Sequence, residues 1–354
     1  EPLIVDLSLL IFLGGGLFLG WALGANDAAN VFGTAVGTRM LRFASAAALC
    51  SLGVILGAVI SGAGPTETLG KLAAIDSLAE ACTASISAGL TVLFMTRRGL
   101  PVSTSQAVVG ALVGWNLWSG APTDLNVIGK VVLTWMLCPI LAGIIAAILL
   151  PLTSLALRAL RLHLLQQDSL TRWALVLAGT FGAYSLGANN IANVMGPFTH
   201  AVQFEPLRIG TGLTLDSSQQ LFLLGGLAIA LGIFTYSKKV MMTVGKDLFA
   251  LSPAAAWVAV MSHSLVLFLF ASKGLAAWLG NAGLPQIPLV PVSSSQAVIG
   301  AILGIGLLRG KHGIRWSVLG GIGLGWLLTP IAAAVLCYTT LWTISVAKTG
   351  VIIL

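Results

Sequence analysis

Two ten-residue stretches decide how this chain is built: GANDAANVFG at 24–33 and GANNIANVMG at 187–196. A second pair follows in the same order, PVSTSQAVVGALVG at 101–114 and PVSSSQAVIGAILG at 291–304. A weaker third pair, WMLCPI at 135–140 and WLLTPI at 326–331, completes the series. Three ordered matches make the chain an internal duplication. Around the motifs lie apolar runs near the ~20 residues that cross a bilayer. They fall at about 3–25, 45–62, 77–95 and 126–150, and again at about 172–188, 219–236, 254–272 and 316–341. Two more, about 101–118 and 291–308, open on the hydroxyl-rich motifs. Each half thus holds five segments. We expect 1–155 to be the first repeat, 156–172 a hydrophilic cytoplasmic linker and 173–354 the second repeat.

Composition points the same way. Over 354 residues, 57% are hydrophobic and 8% charged, and the mean hydropathy is +0.99. A soluble domain carries roughly 25% charged residues. So few charges cannot cover a water-soluble globule of this length, which excludes a cytosolic enzyme, a nucleic-acid-binding domain and a disordered chain. A membrane β-barrel needs alternating polar and apolar residues, and the long unbroken apolar runs exclude it too. The expected fold class is an all-α polytopic membrane protein with ten to twelve transmembrane helices. Cys50, Cys82, Cys138 and Cys337 lie in apolar surroundings without paired spacing and read as free thiols. The chain opens on Glu1 rather than Met, so a trimmed start is expected, and nothing there resembles a cleavable signal peptide.

Basic residues set the orientation. With the N-terminus outside and every segment crossing once, the inside loops hold thirteen: Arg39, Arg42, Arg97, Arg98, Arg158, Arg161, Arg172, Lys238, Lys239, Lys246, Arg309, Lys311 and Arg315. The outside keeps five: Lys71, Lys130, Arg208, Lys273 and Lys348. That bias follows the positive-inside rule and puts both termini on the extracytoplasmic face of a plasma membrane. Five crossings per unit is odd, so the second repeat enters from the opposite face and the repeats are inverted. Transporters that alternate access commonly use this architecture.

Asp27 is the acidic residue set deepest in an apolar motif, and an ionisable group at membrane depth is a functional candidate by default. The plainer reading, a loop at the membrane surface ahead of Arg39 and Arg42, is disfavoured by the second copy. There Asn189, Asn190 and Asn193 restate Asn26, Asp27 and Asn30. Amide oxygens three or four residues apart share one helix face. Small Gly and Ala neighbours let backbones approach closely and would let a helix break. Oxygen ligands and one carboxylate, without Cys or His, suit a hard monovalent cation, with sodium the natural choice.

In the second motif, Pro followed by hydroxyl residues and an apolar run reads as a helix start. Free N–H groups and the positive helix end make such a start an anion site. Simple N-capping explains one copy. Two copies from inverted halves could aim two positive ends at one oxyanion, held by neutral donors because neither motif contains Arg or Lys. His263 reads as a structural histidine. Lys71 and Lys246, each after Gly, read as interfacial turns. No nucleophile elbow, phosphate loop or zinc-binding helix motif is present, so no enzyme and no cofactor are expected.

These paired motifs, GANDAAN with GANNIAN and PVSTSQA with PVSSSQA, closely resemble those of the inorganic phosphate transporter (PiT) family, across nearly the whole chain. The resemblance implies a phosphate symporter driven by sodium, or in other members by protons, with broken helices meeting at a central site and about a dozen helices when the pieces are counted. It assigns Asn26, Asp27, Asn30, Asn189, Asn190 and Asn193 mainly to sodium. It assigns Ser103, Thr104, Ser105, Gln106, Ser293, Ser294, Ser295 and Gln296 mainly to phosphate. Many relatives carry Asp where this chain has Asn190, and His where it has Leu186; losing both titratable groups favours sodium. The long central loop of animal relatives is missing, as in a compact prokaryotic form. The implied partners are inorganic phosphate, sodium ions and the lipid bilayer, with no nucleic acid, and a homodimer as the oligomer to test. Charge bookkeeping suggests two sodium ions per dihydrogen phosphate, neutralising the anion and Asp27 together. Proton coupling and sulfate are the rivals within transport. A passive anion channel is disfavoured because the fixed charge of Asp27 repels a permeant anion.

Overall fold

The computed structural model describes residues 7–97, 102–210, 212–243, 251–310 and 316–349. Pro101, Arg98, Lys246, Lys311 and Arg315, invoked above, lie outside the described residues. Twelve α-helices occur among those described. In the first half they are α1 Leu7–Gly37, α2 Phe43–Ser61, α3 Ala63–Leu72, α4 Leu78–Arg97, α5 Thr104–Ser119 and α6 Leu125–Ala159. In the second they are α7 Leu164–Met195, α8 Ser217–Thr243, α9 Pro253–Leu269, α10 Lys273–Asn281, α11 Ser294–Leu308 and α12 Trp316–Thr349. Among the described residues, six are long and apolar enough to cross a bilayer, and α9 with α10, bent by 69°, makes a seventh candidate.

The all-α class expected from the sequence holds, with one short antiparallel hairpin pairing Leu207–Ile209 with Leu213–Leu215. Two other expectations need correcting. Lys71 sits in the last turn of α3 rather than in a turn between segments. The GANDAAN and GANNIAN stretches do not break their helices: α1 and α7 run through them. Glycine there serves close packing. A Cβ at Gly24 would strike the carbonyl of Ile229 on α8, and one at Gly187 the carbonyl of Val54 on α2. The hydrophilic 156–172 stretch is largely helical as well, with α6 and α7 separated only by Leu160–His163. His163 caps α7 by a reciprocal bond with Gln166.

Helix contacts cross between the halves in matched pairs. α1 packs on α8 as α7 packs on α2; α5 packs on α12 as α11 packs on α6. The third sequence repeat explains the latter. The carbonyl of Pro330 in α12 occupies the space a Cβ at Gly110 of α5 would need, and Pro139 in α6 does the same at Gly300 of α11. The repeats are therefore interleaved rather than separate packing units. The outer face is apolar: Met136, Ile140, Ile144, Ile148 and Leu152 form an exposed stripe along α6. Polar side chains are held within. Many helical hydroxyls bond back to the carbonyl four residues earlier, as those of Ser87, Thr91, Ser262 and Thr329 do.

Candidate functional site

The described part of each hydroxyl motif begins in extended backbone and turns sharply into a helix. Ser103 and Ser293 are the N-caps of α5 and α11. Their hydroxyls accept from the N–H of Gln106 at 3.3 Å and of Gln296 at 3.2 Å. The first-turn N–H groups have no intrahelical acceptor. The two helix starts abut through reciprocal bonds. Ser105 Oγ donates to the Val292 carbonyl at 3.0 Å, and Ser295 Oγ donates to the Val102 carbonyl at 3.1 Å. Two positive helix ends therefore meet inside the molecule, with all eight motif side chains buried.

α7 braces this junction. Asn189 Oδ1 accepts from the N–H of Val292 at 3.0 Å, and its Nδ2 donates to the Val290 carbonyl at 3.3 Å. Asn193 Nδ2 donates to Ser105 Oγ at 2.9 Å and to Asn190 Oδ1 at 3.0 Å. From α1, Asn30 Nδ2 donates to Ser294 Oγ at 2.9 Å. The sequence singled out these residues, and the fold joins them into one network. Asn26 and Asp27 stand apart from it. Asn26 lines a narrow cleft with Val92, Leu93 and Tyr236, and donates to Asp27 at 3.4 Å. Asp27 is buried on α1, and no hydrogen bond among the described residues ties it to either hydroxyl motif.

His263 is the residue sequence reasoning undervalued. On α9, fully buried, it brings Nε2 to 2.9 Å from Ser294 Oγ. Its flanking Ser262 and Ser264 were the only hint: a polar triplet inside an apolar span.

Several buried polar atoms at this junction have no protein partner: Thr104 Oγ1, Gln106 Oε1, Gln296 Oε1, Asn190 Nδ2, Asn193 Oδ1 and His263 Nδ1. Such atoms are costly to leave unmet, and most buried polar groups are paired. Here acceptors and donors are gathered in one place, lined by neutral groups with a carboxylate on a neighbouring helix. Amide oxygens suit a hard cation or an O–H donor; helix N–H groups and Asn190 Nδ2 suit an oxyanion. Among the described residues no group of three or more His, Cys, Asp and Glu could hold a transition metal.

The two repeats differ in solvent access. On α1, Asn26, Asn30 and Thr34 are partly exposed, whereas Asn189, Asn193 and Pro197 beyond them are buried. The α1 side of the junction is less completely covered than the α7 side, over which the turn Gly196–Phe198 and α3 pack.

Comparison with known proteins adds to this geometry. A model of the phosphate transporter family matches residues 23–337. A Methanocaldococcus jannaschii protein, provisionally named a phosphate permease, is 28% identical over 333 residues, covering 94% of this chain and 96% of its own. A Pyrococcus furiosus protein with the same provisional name is 28% identical over 418 aligned positions, covering 94% and 95%. A Haemophilus influenzae protein so named is 26% identical, covering 90% and 92%. A solved structure described as the sodium-dependent phosphate transporter superposes with a TM-score of 0.74 at 24% identity, over 96% of this chain and 99% of that one.

Proposed function

Because the chain belongs to the phosphate transporter family, a family of transporters and not of enzymes, we propose that it moves inorganic phosphate across the membrane by sodium-coupled symport. The observation that carries this reading is the paired helix start, cross-tied by Ser105 and Ser295 inside a set of unpartnered amides. Phosphate sits between the two starts, on the first-turn N–H groups and the hydroxyls of Ser103, Thr104, Ser293 and Ser294. Ser105 and Ser295 hold the two starts in register. Gln106 and Gln296 present amide oxygens that accept from the O–H groups of dihydrogen phosphate or complete a cation shell. Sodium is held by Asn26, Asp27, Asn30, Asn189, Asn190 and Asn193.

Charge decides the stoichiometry. Dihydrogen phosphate and Asp27 together carry two negative charges, and an uncompensated charge at membrane depth is strongly unfavourable. Two sodium ions neutralise the loaded site. The unladen carrier keeps Asp27, so one net positive charge moves per cycle. The crossed helix pairs support two inverted repeats of five crossings each, and the unequal burial of the α1 and α7 faces supports alternating access. Both termini then lie outside a plasma membrane, with Arg39 and Arg158 on the cytoplasmic side. A homodimer would use the exposed apolar faces of α6 or α12.

Proton coupling is the second reading, and His263 favours it, since its Nδ1 is unpartnered while Nε2 touches the site. Labelled phosphate uptake into proteoliposomes separates the two. A sodium gradient alone should drive accumulation, and a proton gradient alone should not. In Asp27→Asn the Hill coefficient for sodium should fall from about two toward one, following the neutrality argument. Unchanged sodium dependence in that variant removes Asp27 from the site.

A further inference from the structure

The junction between the halves carries a second, unassigned cleft. Where α6 ends and α7 begins, a hollow of about 750 Å³ is lined by Arg158, Arg161, Gln167, Asp168, Ser252 and Arg309, among others. Arg309 Nη2 donates to Ser252 Oγ at 3.1 Å, which fixes its guanidinium at the start of α9. Asp168 is already engaged by Arg172 at 3.4 Å. Among the described residues, no carboxylate lies within ion-pair distance of Arg158, Arg161 or Arg309. Three arginines thus line one hollow, and the carboxylate that shares it, Asp168, is paired with Arg172.

This hollow borders another of different character. Leu157, Thr171 and Ala254 line both. The second is an apolar groove of about 370 Å³ between α6, α7 and α9, floored by Ala156 and Ala174 and walled by Leu149, Leu152 and Trp257. Beside the arginines, Leu164 and Leu165 are 78% and 74% exposed. Leucines so bare next to charges belong at the boundary between headgroups and acyl chains.

A cationic head pocket adjoining an apolar tail groove, with three lining residues in common, matches one kind of ligand, an amphiphile with an anionic head. We propose that this cleft binds an anionic phospholipid, with its headgroup phosphate on Arg158, Arg161 and Arg309 and an acyl chain in the groove between α6, α7 and α9. Free phosphate shares the head chemistry but has no use for the groove. Basic pockets between membrane helices recognise such headgroups, and each Arg near the membrane surface adds about 1 kcal/mol of attraction, roughly fivefold in affinity. The bound lipid would join α6 of the first repeat to α7 and α9 of the second, beside their covalent connection.

Native mass spectrometry of the full-length protein in detergent tests this, using phosphatidylglycerol and phosphatidylcholine with identical acyl chains. The parent should retain phosphatidylglycerol well above phosphatidylcholine, and excess inorganic phosphate should not displace it. Arg158→Gln, Arg161→Gln and Arg309→Gln should each weaken retention by roughly fivefold. Ala174→Trp fills the groove, leaves every arginine in place, and should also lose the lipid. It serves as the deciding variant if the arginine changes fail to fold. Equal retention of both lipids overturns the proposal, as does full retention by Ala174→Trp. Displacement by inorganic phosphate would mean a free-anion site and overturns it equally.

Discussion

Ser105 and Ser295 direct their hydroxyl hydrogens at backbone carbonyls of the opposite repeat, so each is a tie as well as a motif residue. Ser105→Ala and Ser295→Ala should each weaken phosphate binding by about 1–3 kcal/mol, the range for losing a buried hydrogen bond. Isothermal titration checks this, and binding as tight as in the parent by either variant removes the shared site. The unpartnered amide oxygens of Gln106 and Gln296 make a separate prediction. They reward an anion that donates, and sulfate at neutral pH only accepts. Excess sulfate should therefore compete far less well than unlabelled phosphate in an uptake assay. Equal competition would contradict an O–H-reading role for these oxygens. At this scale the motif side chains were legible in the sequence because they are duplicated. His263 was not, because nothing in a single sequence tells a histidine facing a site from one facing a core. Nor did the sequence show that Asn26 turns away into a cleft while its counterpart Asn189 clasps the backbone of the other motif.

Among the helices, glycine positions discriminate. Gly187 lies against the Val54 backbone, where an added methyl has no flexible side chain to displace. Gly187→Ala should cost about 1–3 kcal/mol through overpacking. Gly129, on α6, has open space where its Cβ would stand. There the same change should be neutral or slightly stabilising, because alanine favours helix by up to about 1 kcal/mol. Thermal unfolding in detergent compares them, and equal shifts would refute the close-packing role. Apolar runs located the long helices well, and the hydroxyl clusters located α5 and α11; the still shorter α3 and α10 were not read as separate elements. The sequence misled where one residue type serves two ends. Glycine and alanine around Asn26 and Asn189 permit a break or a tight crossing, and only the opposing helix decides which. The hydrophilic connection adds a related lesson: charges mark exposure, and an exposed segment can still be helical, as the ends of α6 and α7 are.

Across the whole molecule, the two faces of the junction are unequal. Thr34 is partly exposed and Pro197 is buried. In a background where Cys82 is replaced by Ser, Thr34→Cys should react faster than Pro197→Cys with an impermeant maleimide applied from the Arg39 face, because Thr34 is partly exposed although its Oγ1 is covered. Reversed labelling would invert the assigned access. The crossed packing has a further consequence, which concerns ancestry and assembly. Each repeat makes its most extensive helix contacts on the other, so a single ancestral half would have left those faces bare unless a second copy covered them. Such a pair needs no covalent link. The present chain supplies one at Leu160–His163, where Arg161 adopts a left-handed φ of 46°. A gene cut between Arg161 and Leu162, with both pieces co-expressed, should yield fragments that find each other in the bilayer and co-purify, whereas either piece alone should be degraded.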